Sequence, residues 1–194
     1  MKEDLDQETN EMKAKRTYLK GRALNVVPDH CSEAEQLLSK AVKLEPNLVN
    51  AWIELGECYW KRDDVETAKT CFEGALSQGQ NKVALRNLSI LMRQLSASSS
   101  EERLRNIEAG LTRAREAVQL DTKDGISWSV LGNAYLAHFF SVSQNPRTLK
   151  QAMTAYKQAE KDIIALNTPE LRHNKGIVSF YEILAFCYID MVNF

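Results

Sequence analysis

With 194 residues, 44% of them apolar, the chain can bury a core of ordinary size, as one domain or as a short solenoid. Its 25 Lys and Arg balance 26 Asp and Glu, which excludes the global field that draws in nucleic acid or an anionic membrane. No apolar run reaches the roughly 18 residues a membrane span needs, and the start MKEDLDQETNEMKAK lacks the apolar centre of a secretory signal. The cysteines, Cys31, Cys58, Cys71 and Cys187, stand singly without metal-ligand spacing, as expected of buried thiols in a reducing compartment.

Residues 1–15 are polar and charged and read as a helix start or a frayed segment that firms up near Met12. The segment Arg16–Val26 supplies Leu19, Gly21 and Leu24 to a first helix, and Ser32 is placed to cap the next. That helix carries Ala34, Leu38 and Ala41 and stops at Pro46, whose ring cannot continue the hydrogen-bond ladder. Trp52, Leu55, Gly56 and Tyr59 then recur on one helical face, and after the charged turn Lys61–Asp64 come Ala68, Phe72 and Ala75. These last three repeat Ala34, Leu38 and Ala41 at a displacement of 34 residues. The order W-x₂-L-G-x₂-Y…A-x₃-F-x₂-A is the signature of a tetratricopeptide repeat, a helical hairpin of about 34 residues.

The third repeat is irregular. Lys82–Leu95 packs through Leu85, Leu88 and Met92, the polar stretch Ser96–Ser100 breaks the pattern, and Glu101–Leu120 follows with Gly110, Ala114 and Ala117. The fourth is clear again, in Trp128, Leu131, Gly132 and Tyr135 followed by Ala152, Tyr156 and Ala159. Its turn, HFFSVSQNPRTLK, is about eight residues too long and reads as an inserted surface loop. After Asn167–Pro169 comes a fifth first-helix, so the repeat array covers 16–182 as about four hairpins plus one helix. Residues 183–194, ILAFCYIDMVNF, are apolar all round and read as the end of a truncated product rather than a polar cap. The fold class expected is all-α, a right-handed superhelical solenoid of hairpins.

The stretches GRALNVVPDH, EAEQLLSKAVKLEPNLVNAWIELGECYW, NKVALRNLSILMRQL, DGISWSVLGNAYL and SQNP go beyond the generic repeat. Together they resemble the tetratricopeptide repeat protein 5 family, that of the stress-responsive activator Strap, from about Leu19 to Glu182. The resemblance implies two roles. One is recognition of nascent tubulin N-termini at the ribosome in tubulin message decay, and the other is scaffolding of a stress-responsive transcriptional coactivator complex. It implies a cytoplasmic and nuclear protein whose partners are proteins or nascent peptides, with no direct nucleic-acid contact and no membrane. The family's OB-fold domain after the repeats has no counterpart in these residues, so ribosome contact is not expected without it.

No catalytic constellation is visible: no phosphate-cradling loop, no nucleophile elbow and no H-E-x-x-H. No cofactor and no metal are expected, and His30, His138 and His173 read as isolated side chains. Binding is the better prospect, because stacked hairpins line a concave wall with their first helices. The positions one step around from the packing residues are Asn50, Glu54 and Trp60, then Arg86, Asn87 and Arg93, then Ser129 and Asn133, and finally Glu170, His173 and Asn174. Amides suit such a wall because one side chain both donates to and accepts from a peptide backbone. The resemblance implies a ligand beginning Met-Arg-Glu, with Arg93 for its Glu and Glu170 for its Arg. Asn133 and Asn174 would hold its backbone, and Ile90 and Trp60 its apolar ends. A second reading, from HNKG at His173–Gly176, is a co-chaperone that clamps a terminal carboxylate. A third is a pure scaffold whose groove is idle.

Overall fold

The computed structural model describes residues 9–166, with side chains through 161. The apolar segment 183–194, the fifth first-helix, and Glu170, His173, Asn174 and Cys187 lie outside the described residues. The helices in order are α1 (Asn10–Leu24), α2 (Ser32–Leu44), α3 (Val49–Lys61), α4 (Val65–Gln78), α5 (Lys82–Gln94), α6 (Ser100–Leu120), α7 (Gly125–His138) and α8 (Pro146–Leu166). No strand occurs among the described residues, and none of their helices is long and apolar enough to cross a membrane. The chain divides into two compact units, residues 1–96 and 97–194, so that α5 belongs to the first and α6 to the second.

Side-chain oxygens start most of these helices by accepting otherwise orphaned amides. Thr9 accepts from Met12, Asp64 from Thr67, Asn81 from Val83 and Ala84, Ser99 from Glu102, and Asp124 from Ser127. Ser32 does not cap α2. It is already the first helical residue, so its hydroxyl sits one position too late, and Cys31 at the cap makes no side-chain hydrogen bond.

In the first unit α1 packs on α2, α3 on α4, and α5 on α4. Close approach is made by glycine facing a large side chain. A Cβ on Gly21 would stand 2.8 Å from Leu38, and one on Gly56 would stand 2.7 Å from the Phe72 ring. The first core cluster gathers Tyr18, Leu38, Ala41, Leu55, Cys58 and Cys71, and the second Ile53, Ala68, Phe72, Ala75, Leu88 and Leu91. The face that α1 buries is Ala14, Tyr18 and Gly21. Leu19, at 59% exposed, and Leu24, at 36%, stand outside it. Of the three residues expected to pack, Gly21 does and the two leucines do not, because Ala14 and Tyr18 occupy the rest of the contact row.

In the second unit α7 packs on both α6 and α8. Gly132 repeats the Gly56 device, with the Tyr156 ring 2.7 Å from where its Cβ would be. The expected surface loop between α7 and α8 is not a loop. α7 runs on as a π-helical turn, Phe139–Ser143, and α8 starts at Pro146. The extra length is wound into helix because Phe139 is buried with Leu136 and Leu149. Gln144 in the left-handed region then reverses the chain, its amide bonded to the Phe139 carbonyl at 3.0 Å.

Trp52 and Trp128 turn the same corner in both units. Each indole N–H donates at 2.8 Å to a carbonyl six residues earlier, that of Pro46 and of Thr122.

Candidate functional site

Polar side chains bridge the first helices of the first unit, α1, α3 and α5. Asn25, closing α1 and only 5% exposed, donates its Nδ2 to Glu54 Oε2 at 3.0 Å. Its Oδ1 accepts from Cys58 Sγ at 3.2 Å and from Lys61 Nζ at 2.9 Å. Lys61 also donates to the carbonyls of Asn25 and, at 2.7 Å, Val27, so a cation closes the negative end of α1. Arg22 pairs with Glu54 at 3.3 Å. One turn on, Asn87 Nδ2 donates to Glu57 Oε1 at 3.2 Å and Trp60 Nε1 to Gln94 Oε1 at 2.9 Å.

A cavity of about 330 Å³ lies among Glu57, Trp60, Lys61 and Asn87. Burial, and after it the negative charge of Glu54, push the Glu57 carboxyl above its ordinary range, against the opposing Asn87 hydrogen bond and the charges of Lys61 and Arg22. A cation brought to this carboxylate would relieve that penalty. Trp60 is shared between the wall and the core. It meets Phe72 edge-on at 6.2 Å between centroids and is half-buried.

Beside the cavity α5 presents Arg86, Asn87, Ile90 and Arg93, all half-buried, in the i, i+1, i+4, i+7 arrangement of one helical stripe. The Nη1 atom of Arg93 is buried. Of the residues expected on the wall, Trp60, Arg86, Asn87, Ile90 and Arg93 therefore fall together on α3 and α5. Asn133 is in the second unit, exposed on α7, where its side-chain oxygen accepts from the Tyr156 hydroxyl at 2.6 Å.

Sequence reasoning missed Glu57, Lys61 and Gln94. The signal was present, since Asn50, Glu54, Glu57 and Lys61 form a polar i, i+4, i+7, i+11 row along α3.

The arrangement offers amides, paired charges and an aromatic wall, a surface suited to an extended, charged peptide. It offers no activated thiol. Burial pushes Cys58 up to about 11 and Cys71 to about 12, which keeps both protonated. Among the described residues no group of His, Cys, Asp or Glu could hold a metal ion.

A tetratricopeptide repeat family model matches residues 32–89. Tetratricopeptide repeat protein 5 of Mus musculus is 51% identical over 173 residues, 89% of this chain and 39% of its own length. The Homo sapiens protein of the same name is 50% identical over 171 residues, 88% of this chain and 39% of its own. The chain thus spans about two-fifths of the length of the curated relatives it matches. Among solved structures, the crystal structure of MamA superposes with a TM-score of 0.59 at 14% identity, over 79% of this chain and 80% of that one, a likeness of fold.

Proposed function

The chain belongs to the tetratricopeptide repeat proteins and is related over most of its length to tetratricopeptide repeat protein 5, and from that premise we propose that it reads the short charged N-terminus of nascent tubulin in tubulin message autoregulation. The repeat fold makes it a protein-interaction module. The finer reading is supported by one observation, the α5 stripe of Arg86, Asn87, Ile90 and Arg93 beside the Glu57 cavity. A Met-Arg-Glu start sets a cation next to a carboxylate, and this wall carries both complements. Arg93 presents a planar fork for the ligand's Glu. Glu57 is a second carboxylate for the ligand's Arg, beside the role that the family resemblance gives Glu170. Asn87 serves the peptide backbone, and Trp60 and Ile90 cover its apolar ends. The protein would meet this ligand in the cytoplasm, and the coactivator role would place it in the nucleus as well.

Fluorescence anisotropy with a labelled Met-Arg-Glu peptide tests the proposal. Losing one enclosed charge pair costs roughly 2–5 kcal/mol, so Arg93→Ala should abolish measurable binding and Arg93→Lys should weaken it. Unchanged affinity for Arg93→Ala, in a protein folded by circular dichroism, would place the site elsewhere.

A further inference from the structure

The second unit carries a trough that the peptide wall does not use. It runs along α7, against α8 at one end and between α6 and α8 at the other. Two adjoining cavities, of about 400 and 270 Å³, share Tyr135 and Gln151. The larger cavity has an apolar floor, built from Trp128, Leu131 and Tyr135 of α7, while the smaller one is more polar, with Leu111 of α6 among its apolar walls. The Trp128 N–H is already committed to the Thr122 carbonyl, so the indole offers the cavity apolar surface rather than a donor.

The rim is cationic. Arg147 and Lys150 stand over the larger cavity, and Arg115 lies over the Tyr135 ring at 5.3 Å, with its Nε 3.3 Å from the phenol oxygen. Arg147 and Lys150 open a stripe along α8 that continues through Lys157 and Lys161 at helical spacing. All four side chains are exposed, and among the described residues none makes an ion pair. Among the described residues Glu108 is the one carboxylate on the lining, at the end beside His138. The buried Nδ1 of that histidine has no hydrogen-bond partner among the described residues.

We propose that this trough is a second docking surface, for an acidic peptide segment of a partner protein bearing apolar side chains among its carboxylates. Arg147 and Lys150 over the recessed aromatic floor, with Lys157 and Lys161 further along the same face of α8, complement that chemistry, with carboxylates at the rim and apolar side chains on the floor. A membrane surface fits less well, because the apolar groups lie sunk between two helices rather than projecting from the surface. Single-stranded nucleic acid finds rings to stack on but fits less well, because the Glu108 carboxylate on the lining repels a phosphate backbone. None of its described lining residues belongs to the first unit.

The test is anisotropy of a labelled, capped peptide, Glu-Asp-Phe-Glu-Asp-Leu-Glu-Glu, titrated with the full chain. The double variant Arg147→Glu, Lys150→Glu alters only exposed positions and should weaken binding by roughly tenfold or more. Replacing the probe's Phe and Leu by Ser should abolish binding, and Arg93→Ala should leave it unchanged. The proposal is overturned if the peptide does not bind or if the double variant binds as well as the parent. It is equally overturned if the serine probe binds equally well, or if phosphatidylserine vesicles or single-stranded RNA bind the same face more tightly than the peptide.

Discussion

The phenolic hydroxyl of Tyr156 donates to the side-chain oxygen of Asn133 at 2.6 Å. Asn133 follows Gly132, whose missing side chain admits the Tyr156 ring, so the ring passes over the glycine and ends on the next residue. The first unit has Phe72 and Gly56 in this place, with no hydroxyl to anchor. Tyr156→Phe should therefore lower stability by about 1 kcal/mol, the net worth of an ordinary hydrogen bond. Urea denaturation of Tyr156→Phe, Asn133→Ala and the double variant would measure it, and full additivity would mean the bond contributes nothing.

The glycines themselves should resist substitution. In an exposed helix Gly→Ala gains up to about 1 kcal/mol, but at Gly56 and Gly132 the new methyl would fall 2.7 Å from a ring atom of Phe72 or Tyr156. Those rings are buried, so they can give way only by disturbing the side chains packed around them. Overpacking should win, and each variant should lose about 1–3 kcal/mol. Gly79→Ala meets nothing within 4 Å and serves as the control. Thermal unfolding in which Gly56→Ala matches Gly79→Ala would refute the argument.

Cys58 and Cys71 should make the first unit sensitive to alkali. Burial raises their folded values from the ordinary 9.0 to about 11 and about 12. The unfolded chain loses these protons first, so their contribution is complete below about 9 and is lost progressively as pH rises through the folded values. Cys58→Ala and Cys71→Ala should flatten the fall in stability across that window. In a Cys187→Ser background a thiol reagent should label the half-buried Cys31 first, and the other two only on unfolding. Rapid native labelling of Cys58 would contradict this.

Glu57 gives the peptide wall its own pH signature. Its folded value is raised, by burial first and Glu54 second, so its stabilising contribution is present below the unfolded value and lost as pH rises through the folded one. Glu57→Gln keeps an acceptor for Asn87 while removing the charge, and should raise stability at neutral pH but not in acid. The same change should weaken a peptide that carries Arg at its second position. A variant that neither stabilises the chain nor weakens the peptide would remove Glu57 from the site.

A charge exchange tests the assignment of Arg93. Arg93→Asp should lose the Met-Arg-Glu peptide and recover, in part, a peptide whose Glu is replaced by Arg, because only the sign at that contact has changed. Anisotropy at two salt concentrations would measure both arms. Failure of the exchanged pair, with the fold intact, would mean Arg93 acts on packing rather than on the ligand.

The helical hairpins were legible because their packing is periodic. Ala34, Leu38 and Ala41 recur at Ala68, Phe72 and Ala75, and all six are buried. The face of α1 was not, since Leu19 and Leu24 outweigh Ala14 and Tyr18 in apolar character while the backbone turns them outward. The turn after α7 was misread for a related reason. Surplus length looks like a loop in sequence, and only the burial of Phe139 winds it into a π-turn. That Arg86, Asn87, Ile90 and Arg93 share one face of α5 follows from helical spacing, but Glu57 could not be separated from an ordinary solvated glutamate. Its distinction is the company of Glu54 and Asn87, which comes from neighbouring turns and a neighbouring helix.

The corner-turning indoles have an optical consequence. The chain has three tryptophans, with Trp52 and Trp60 in the first unit and Trp128 alone in the second. With Trp52 and Trp60 changed to Phe, all indole emission comes from one ring. That ring is hydrogen-bonded to Thr122 and lies on the floor of the basic trough. A single fluorescence channel would then follow both the melting of the second unit and the arrival of a ligand in its trough, with no dye attached. Restoring Trp52 in place of Trp128 would move the same gauge to the other half of the molecule.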